Sequence, residues 1–402
     1  ASAPAARPER RPEVPEPEGE NASLASLRIE PVASRRDLRR FLTMPAAIYR
    51  GDPHWVPPLL FERLEHLNAK KNPFLAGIDV AYWVALRGDR PVGRISAQIN
   101  AKHLARYQDA TGHFGFLEAE DDREVFAALV ETAQGWLRAR DMRRLAGPFN
   151  LSINDECGLL VEGFDTPPNM MMGHGRPYYG PRLEEQGFTK AKDLICYDFD
   201  MTSELPEPAR KMHARLAKMP GLTFRSLDMR RYQDEIRTIC DIFNDAWSDN
   251  WGFIPFGEEE ALFMAKSIRP LVGPDWFAIG EVDGEPAAMA VTLPNLNEAI
   301  RDLNGRLLPF GWAKLLWRLK VEGGKTGRMP LMGVRKKYHA TPKGAALALG
   351  VMVRIHAYHR AHGKQRAELS WILEDNTRMH EMIRLVGAEP YKTYRIYEKS
   401  LA

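Results

Sequence analysis

The segment from Leu331 to Asn376 limits what this chain can fold into more than any other. Leu331-Met332-Gly333-Val334 is a short apolar run, followed by a basic turn with Arg335, Lys336, Lys337, His339 and Lys343. Residues 345–358 are apolar on almost every side, which marks a buried helix, because a surface helix keeps one polar face. Pro342 stands where a helix start tolerates proline, Gly363 where helices end, and residues 369–373 read as a second strand. Strand, buried helix and strand in this order point to an α/β fold. The turn is also a place to hold phosphate, since the first N–H groups of a helix are unpaired and the helix dipole is positive there. The plainer alternative is a buried strand-helix-strand unit with a charged turn, and spacing alone leaves both open.

A length of 402 residues favours two ordinary domains over one. Residues 1–24 carry Pro4, Pro8, Pro12, Pro15 and Pro17 among Arg and Glu, and are expected to be disordered. Residues 27–29 open a strand, and Ser34 caps a helix over about 35–49. Residues 82–86 and 92–99 form a hairpin across Gly88-Asp89. Residues 125–138 are an amphipathic helix, Leu145 begins another strand, and 194–199 is the last strand of this half. After residue 220 the order returns. A strand at 222–226 and a mostly helical stretch at 229–247 precede a hairpin across Asp283-Gly284. The segment described above, a helix at 377–386 and a strand at 394–397 then follow. Repeated element order, rather than repeated residues, predicts two domains of one design, 25–203 and 220–402.

This arrangement resembles the GNAT-type acyltransferase superfamily. The resemblance implies two tandem GNAT-like domains with mixed central sheets. It also implies a splayed strand leading into a turn of the form Gln/Arg-x-x-Gly-x-Gly/Ala, whose N–H groups hold the pyrophosphate of coenzyme A. The matching residues are Thr341-Pro342-Lys343-Gly344-Ala345-Ala346. Gly344 and Ala346 fit, Thr341 departs from the pattern, and Arg335, Lys336, Lys337 and Lys343 are the replacement charges. With Val334, Ala345 and Asn376 these make up the expected donor site. The first half lacks such a turn, and its Glu118, Glu120, Asp121 and Asp122 repel phosphate. The acyl-CoA is therefore expected in the second half only, the first being kept for structure or for shaping an acceptor site. The family also implies a Tyr seven residues after Asn376. That position holds Ile383, and Tyr394, Tyr397 and His380 are the substitutes.

Longer phrases narrow the resemblance. They are Gly147-Pro148-Phe149-Asn150-Leu151-Ser152-Ile153-Asn154-Asp155-Glu156, Gly163-Phe164-Asp165-Thr166-Pro167-Pro168, Pro177-Tyr178-Tyr179, Ser370-Trp371-Ile372-Leu373-Glu374-Asp375-Asn376 and Lys392-Thr393-Tyr394-Arg395-Ile396-Tyr397. They look like a bacterial family of tandem GNAT-like proteins that includes bacterial ceramide synthases, from about residue 27 to the end. The resemblance implies N-acylation of a sphingoid base, 3-oxosphinganine or sphinganine, by a long-chain acyl thioester. Coenzyme A and acyl carrier protein both stay open as carriers. Two rivals also stay open: acetylation of a small polar amine, and a non-catalytic acyl-CoA or lipid sensor.

Amide formation from a thioester needs a general base for the amine and a donor for the oxyanion. His339, Glu368, Glu374 and Asp375 are the candidate bases, and Tyr394 is a candidate acid. Asn150, Asn154, Glu156, His174, Tyr178 and Trp371 are candidate acceptor contacts, or side chains that only satisfy turn backbones. His356, His359 and His362 lie on one helix without a carboxylate, so no metal is expected. Cys157, Cys196 and Cys240 are odd in number and far apart, which predicts reduced thiols and a cytoplasmic setting. A net charge of +3 argues against bulk nucleic-acid binding. Between Arg301 and Lys337 stand ten Lys or Arg and two acidic residues, a balance of +8. Trp312, Leu315, Leu316 and Leu319 share one helical face there, with Lys314 and Arg318 opposite. A basic amphipathic helix with Trp suits the surface of an anionic membrane, and equally a helix packed on the core.

Overall fold

A computed structural model describes residues 26–401. The proline-rich stretch 1–24 lies outside the described residues. The strands are β1 (Leu27–Pro31), β2 (Ile78–Arg87), β3 (Arg90–Asn100), β4 (Thr111–Ala119), β5 (Arg144–Gly147), β6 (Leu159–Glu162), β7 (Thr189–Asp200), β8 (Leu222–Arg225), β9 (Phe277–Val282), β10 (Glu285–Pro294), β11 (Thr326–Val334), β12 (Arg366–Leu373) and β13 (Glu389–Ser400). They form one sheet in the order β1-β2-β3-β4-β5-β13-β7-β12-β11-β10-β9-β8, with β6 also on β13. The two parallel contacts, β4 on β5 and β11 on β12, stand at matching places in the two halves.

Each half buries its sheet under one main helix. Asp122 caps Arg123–Arg138, whose Val125, Phe126, Leu129 and Leu137 pack on Trp83, Val92 and Phe114. In the second half Pro342–Ala361 packs Leu347, Leu349, Val351 and Ile355 on Ala278, Ala288 and Leu369. Gly350 allows that approach, because a Cβ there would meet the Phe224 ring at 2.1 Å. The expected single helix over 35–49 is instead two, Arg35–Thr43 and Pro45–Ile48, because proline has no N–H to continue the first. The helix Glu258–Ile268, absent from the sequence reading, covers the other face of the second half with Tyr232–Ala246.

The halves are joined at the sheet's centre. β13, the last strand of the chain, pairs with β7 along Glu389–Glu398 and with β5 through Tyr397–Ser400. β7, the last strand of the first half, pairs on its other edge with β12. Tyr394, Ile396 and Tyr397 are at most 1% exposed in this seam.

Candidate active site

β11 and β12 pair only from Thr326–Met329 to Arg366–Leu369. Pro330 follows on β11 and has no N–H to give, and the β12–β7 register shifts between Leu369 and Ile372. The strands part there, and a cavity of about 830 Å³ fills the gap. Ala345, Ala348 and Met352 of the long helix line one side of it, and Trp247, Trp251 and Trp371 the other. The Trp371 and Trp247 rings stand 6.1 Å apart.

The start of the long helix forms the mouth. Thr341 caps it: its Oγ1 accepts from the Gly344 N–H at 3.0 Å and donates to the Tyr338 carbonyl at 2.7 Å. A Cβ on Gly344 would lie 2.1 Å from the Tyr338 oxygen, so glycine lets the turn close on the helix. Thr341, Gly344, Ala345 and Val334 all line the cavity, while Ala346 is buried away from it. The basic turn is less free than its composition implies. Arg335 pairs with Asp241, Lys336 with Asp249 and Lys337 with Glu285. Among the described residues Lys343 has no ion pair, and neither has Arg378, which stands at the cavity wall from the opposite lip. Arg378 was missed by the sequence reading, because its nearness to the turn is set only by the fold.

The other expected residues fall into separate places. His339 Nε2 lies 2.6 Å from the Val334 carbonyl, so that nitrogen carries the proton and donates. It is at the mouth: its partner Val334 is five residues up β11 from Met329, about 16 Å from where the strands part. That suits contact with a phosphate-bearing end, not proton transfer at a reacting carbon. Glu374 is held by the Lys190 ammonium at 2.6 Å and by the Asp193 N–H at 3.1 Å. Asp375 receives a 2.9 Å hydrogen bond from Lys192, which holds its carboxyl below the usual carboxylate range and weakens it as a base. Asn376 lines the cavity and caps Thr377–Leu385. Tyr394 is 0% exposed, its hydroxyl donates to the Gly173 carbonyl at 2.9 Å, and burial pushes its pKa well up.

Of the expected acceptor contacts, Asn150 and Glu156 serve the first half's own gap. β4 and β5 also part, after His113 and Ala146. Here the loop 148–158 folds into the opening. Phe149 N–H donates to the Phe114 carbonyl at 2.7 Å, and Asn150 Oδ1 accepts from the Phe116 N–H at 2.7 Å. Glu156 takes hydrogen bonds from Asn150 and Arg63. Asn154 donates to the Ile254 carbonyl at 3.0 Å, and Tyr178 to the Ala119 carbonyl at 2.8 Å. The three helix histidines diverge: His359 meets Thr292, His362 its own helix backbone, and His356 the Phe199 ring.

A buried polar network stands where β11 and β12 part. Arg328 Nε donates to Ser370 Oγ at 2.8 Å, and the Ser370 hydroxyl and the Tyr391 hydroxyl each donate to one Glu368 oxygen. Arg328 lies 3.6 Å from Glu368 and reaches the Met170 carbonyl at 2.9 Å. Arg328 is 5% exposed and Glu368 3%. Burial, and then the Glu368 carboxylate, push the Tyr391 phenol far above its ordinary range, so it stays a donor. A second cavity, of about 710 Å³, reaches this network from the junction of the halves. Tyr49, Asp52 and Trp55 wall it from one half, Asn297, Arg301 and Gly327 from the other, and Glu368 and Tyr391 stand in its wall. His174, an expected acceptor residue, stands behind Asp52 at 3.1 Å.

No protein-family model matches the chain. The chain is 48% identical over 378 residues to "Bacterial ceramide synthase" of Caulobacter vibrioides (strain NA1000 / CB15N), across 94% of this chain and 98% of that protein. It is 46% identical over 369 residues to "Protein YghO" of Escherichia coli (strain K12), across 92% and 94% respectively. Among solved structures, a tandem GNAT protein from the clavulanic acid biosynthesis pathway matches with a TM-score of 0.55 at 14% identity, over 94% of this chain and 99% of that one. A GCN5-related glucosamine N-acetyltransferase region of a fungal multi-domain GH3 β-N-acetylglucosaminidase gives 0.57 at 12% identity, over 93% of this chain and 38% of the other. At these identities the structural likeness is one of fold, and that fold is the tandem GNAT-like α/β arrangement.

Proposed function

The chain belongs to the family of the Caulobacter bacterial ceramide synthase, and on that premise we propose that it is an acyl-CoA-dependent N-acyltransferase acting on the amine of a sphingoid base. The observation that carries this reading is the parting of β11 and β12 over a helix N-terminus, with a largely apolar cavity between them. In this reading the Lys343 N–H, which has no partner among the described residues at the capped start of Pro342–Ala361, and the Lys343 and Arg378 side chains hold the pyrophosphate end of the donor. Its arm runs between the strands to the Arg328–Ser370–Glu368 network, and Met352 and Met379 give its acyl chain an adaptable wall. The first half carries no donor, because loop 148–158 occupies the equivalent gap.

The test is acceptor-dependent thiol release by purified protein. Palmitoyl-CoA with 3-oxosphinganine or sphinganine in detergent is expected to release thiol well above the rate without amine. Acetyl-CoA with simple polyamines is expected to give none. The reverse pattern would sink the lipid reading in favour of a small-substrate enzyme.

Contact with a membrane surface is part of the same reading. No helix among the described residues is long and apolar enough to cross a bilayer. Leu308 (81% exposed), Phe310, Trp317 and Val321 instead project from the region 303–321. The expected amphipathic face is modified: Leu315 and Leu319 are partly buried, and Lys314 and Arg318 share Asp302, which offsets one of their two charges. Apolar burial therefore carries the attachment more than charge does. Leu308→Ser with Phe310→Ser removes about 3 kcal/mol or more of burial. Sedimentation with phosphatidylglycerol-containing vesicles is expected to lose at least about tenfold in affinity. An unchanged bound fraction would refute the membrane contact.

A further inference from the structure

The two cavities end on opposite sides of one short hydrogen-bonded chain. Ser370 lines the cavity between β11 and β12, while Glu368 and Tyr391 line the cavity between the halves. Resting on the acyl-transfer reading above, we propose that the amine enters through the cavity between the halves and gives its proton to Glu368, and that Ser370 relays a proton to the departing thiolate on the donor side.

The chemistry closes. The lipid ammonium first loses one proton to water. The neutral nitrogen then attacks the thioester carbon, the C–N bond forms and the C–S bond breaks. The nitrogen's remaining surplus proton passes to the Glu368 carboxylate. Ser370 hands its hydroxyl proton to the thiolate and recovers one from Glu368. The products are an amide and a thiol, and both side chains return to their starting states. Glu368 meets the geometric requirements that His339, Glu374 and Asp375 do not: it lies beside the point where the strands part and is not committed to a surface lysine. Each of its oxygens accepts one hydrogen bond and keeps a further lone pair. Arg328 and Tyr391 are positioning residues. Arg328 ties Ser370 to the Met170 carbonyl, and Tyr391 fixes the carboxylate plane.

The second cavity also suits an amphiphile. Its wall next to Glu368 is polar, with Asp198, Arg366 and Asn297, and Trp55, Val56 and Pro57 supply apolar surface farther along. Asn304 belongs both to this cavity and to the surface hollow that carries Leu308 and Phe310. A single-chain amine lying in a bilayer can thus enter head-first from the exposed apolar ridge.

Three variants test the proposal in steady-state kinetics with palmitoyl-CoA and the long-chain base. Glu368→Gln is expected to lower kcat by about 100-fold or more, with palmitoyl-CoA affinity unchanged. Tyr391→Phe removes the hydrogen bond that fixes the carboxylate plane. It is expected to lower kcat about tenfold with KM for palmitoyl-CoA and for the amine unchanged, a split that a merely structural role would not produce. Val56→Trp narrows the second cavity and is expected to raise KM for the amine at least about fivefold without changing palmitoyl-CoA affinity. Wild-type protein that makes no amide would overturn the acyl-transfer reading itself. Active wild type, with Glu368→Gln above about a tenth of its turnover, would overturn the relay alone. If Glu368→Gln does not fold, an unchanged kcat in Tyr391→Phe overturns the relay, and an unmoved amine KM in Val56→Trp overturns the entry route.

Discussion

Valine in place of Gly344 is expected to weaken acyl-CoA binding by about 100-fold, the equivalent of overpacking worth 2–3 kcal/mol at the donor's phosphate end. The new Cβ would sit 2.1 Å from the Tyr338 carbonyl, a backbone atom that cannot swing aside. The turn must lift off the helix, and the Thr341 cap on the Gly344 N–H goes with it. Both lips of the donor site then lose their spacing. Gly135→Ala is the control. It lies in Arg123–Arg138 with nothing within 4 Å of the added methyl, so donor binding is expected to stay unchanged. Calorimetric titration with palmitoyl-CoA reads both variants. Binding by Gly344→Val within about twofold of wild type would remove this turn from the donor site.

The second large effect concerns the seam between the halves. Chains covering 26–203 or 220–401 alone, or ending at Ala388, are expected to lack a cooperative melt. β13 lies between β5 and β7, so removing it opens two strand edges at the sheet's centre. Tyr394, Ile396 and Tyr397 leave the core together. Each large core side chain is worth about 2–5 kcal/mol, which rivals the whole stability of a domain. Thermal melts followed by circular dichroism check this. A sharp two-state transition in either half alone would show that the pairing of β13 with β5 and β7 is dispensable to it.

The sequence carried some of this architecture openly and hid the rest for physical reasons. The apolar surround of residues 345–358 announced a buried helix, and the two Asp-Gly or Gly-Asp hairpins announced the repeated half. The place of β13 had no such signature. Alternating apolar residues at 394–397 say that a strand is buried, not which strands flank it. Glu258-Glu259-Glu260 after Gly257 is an acidic helix start that was there to be read. The basic turn misled in a different way. Asp241, Asp249 and Glu285, which take up Arg335, Lys336 and Lys337, lie 52 to 94 residues away, so a local charge count cannot include them. The Arg328–Ser370–Glu368–Tyr391 network was hidden likewise. Glu368 was one candidate base among four, and only the pairing of β11 with β12 brings Arg328 to it.

The central claim is that this chain joins a long acyl group to a lipid amine, and mass spectrometry of the reaction product tests it most directly. Purified protein would be incubated with palmitoyl-CoA and 3-oxosphinganine in detergent, with sphinganine and acetyl-CoA in parallel. The account predicts an N-palmitoylated long-chain base that grows with time, about 100-fold or more slower when Glu368→Gln replaces the wild type. Palmitoyl-CoA that binds but is never converted to an amide with either base would contradict it, leaving a protein that holds the thioester without transferring it.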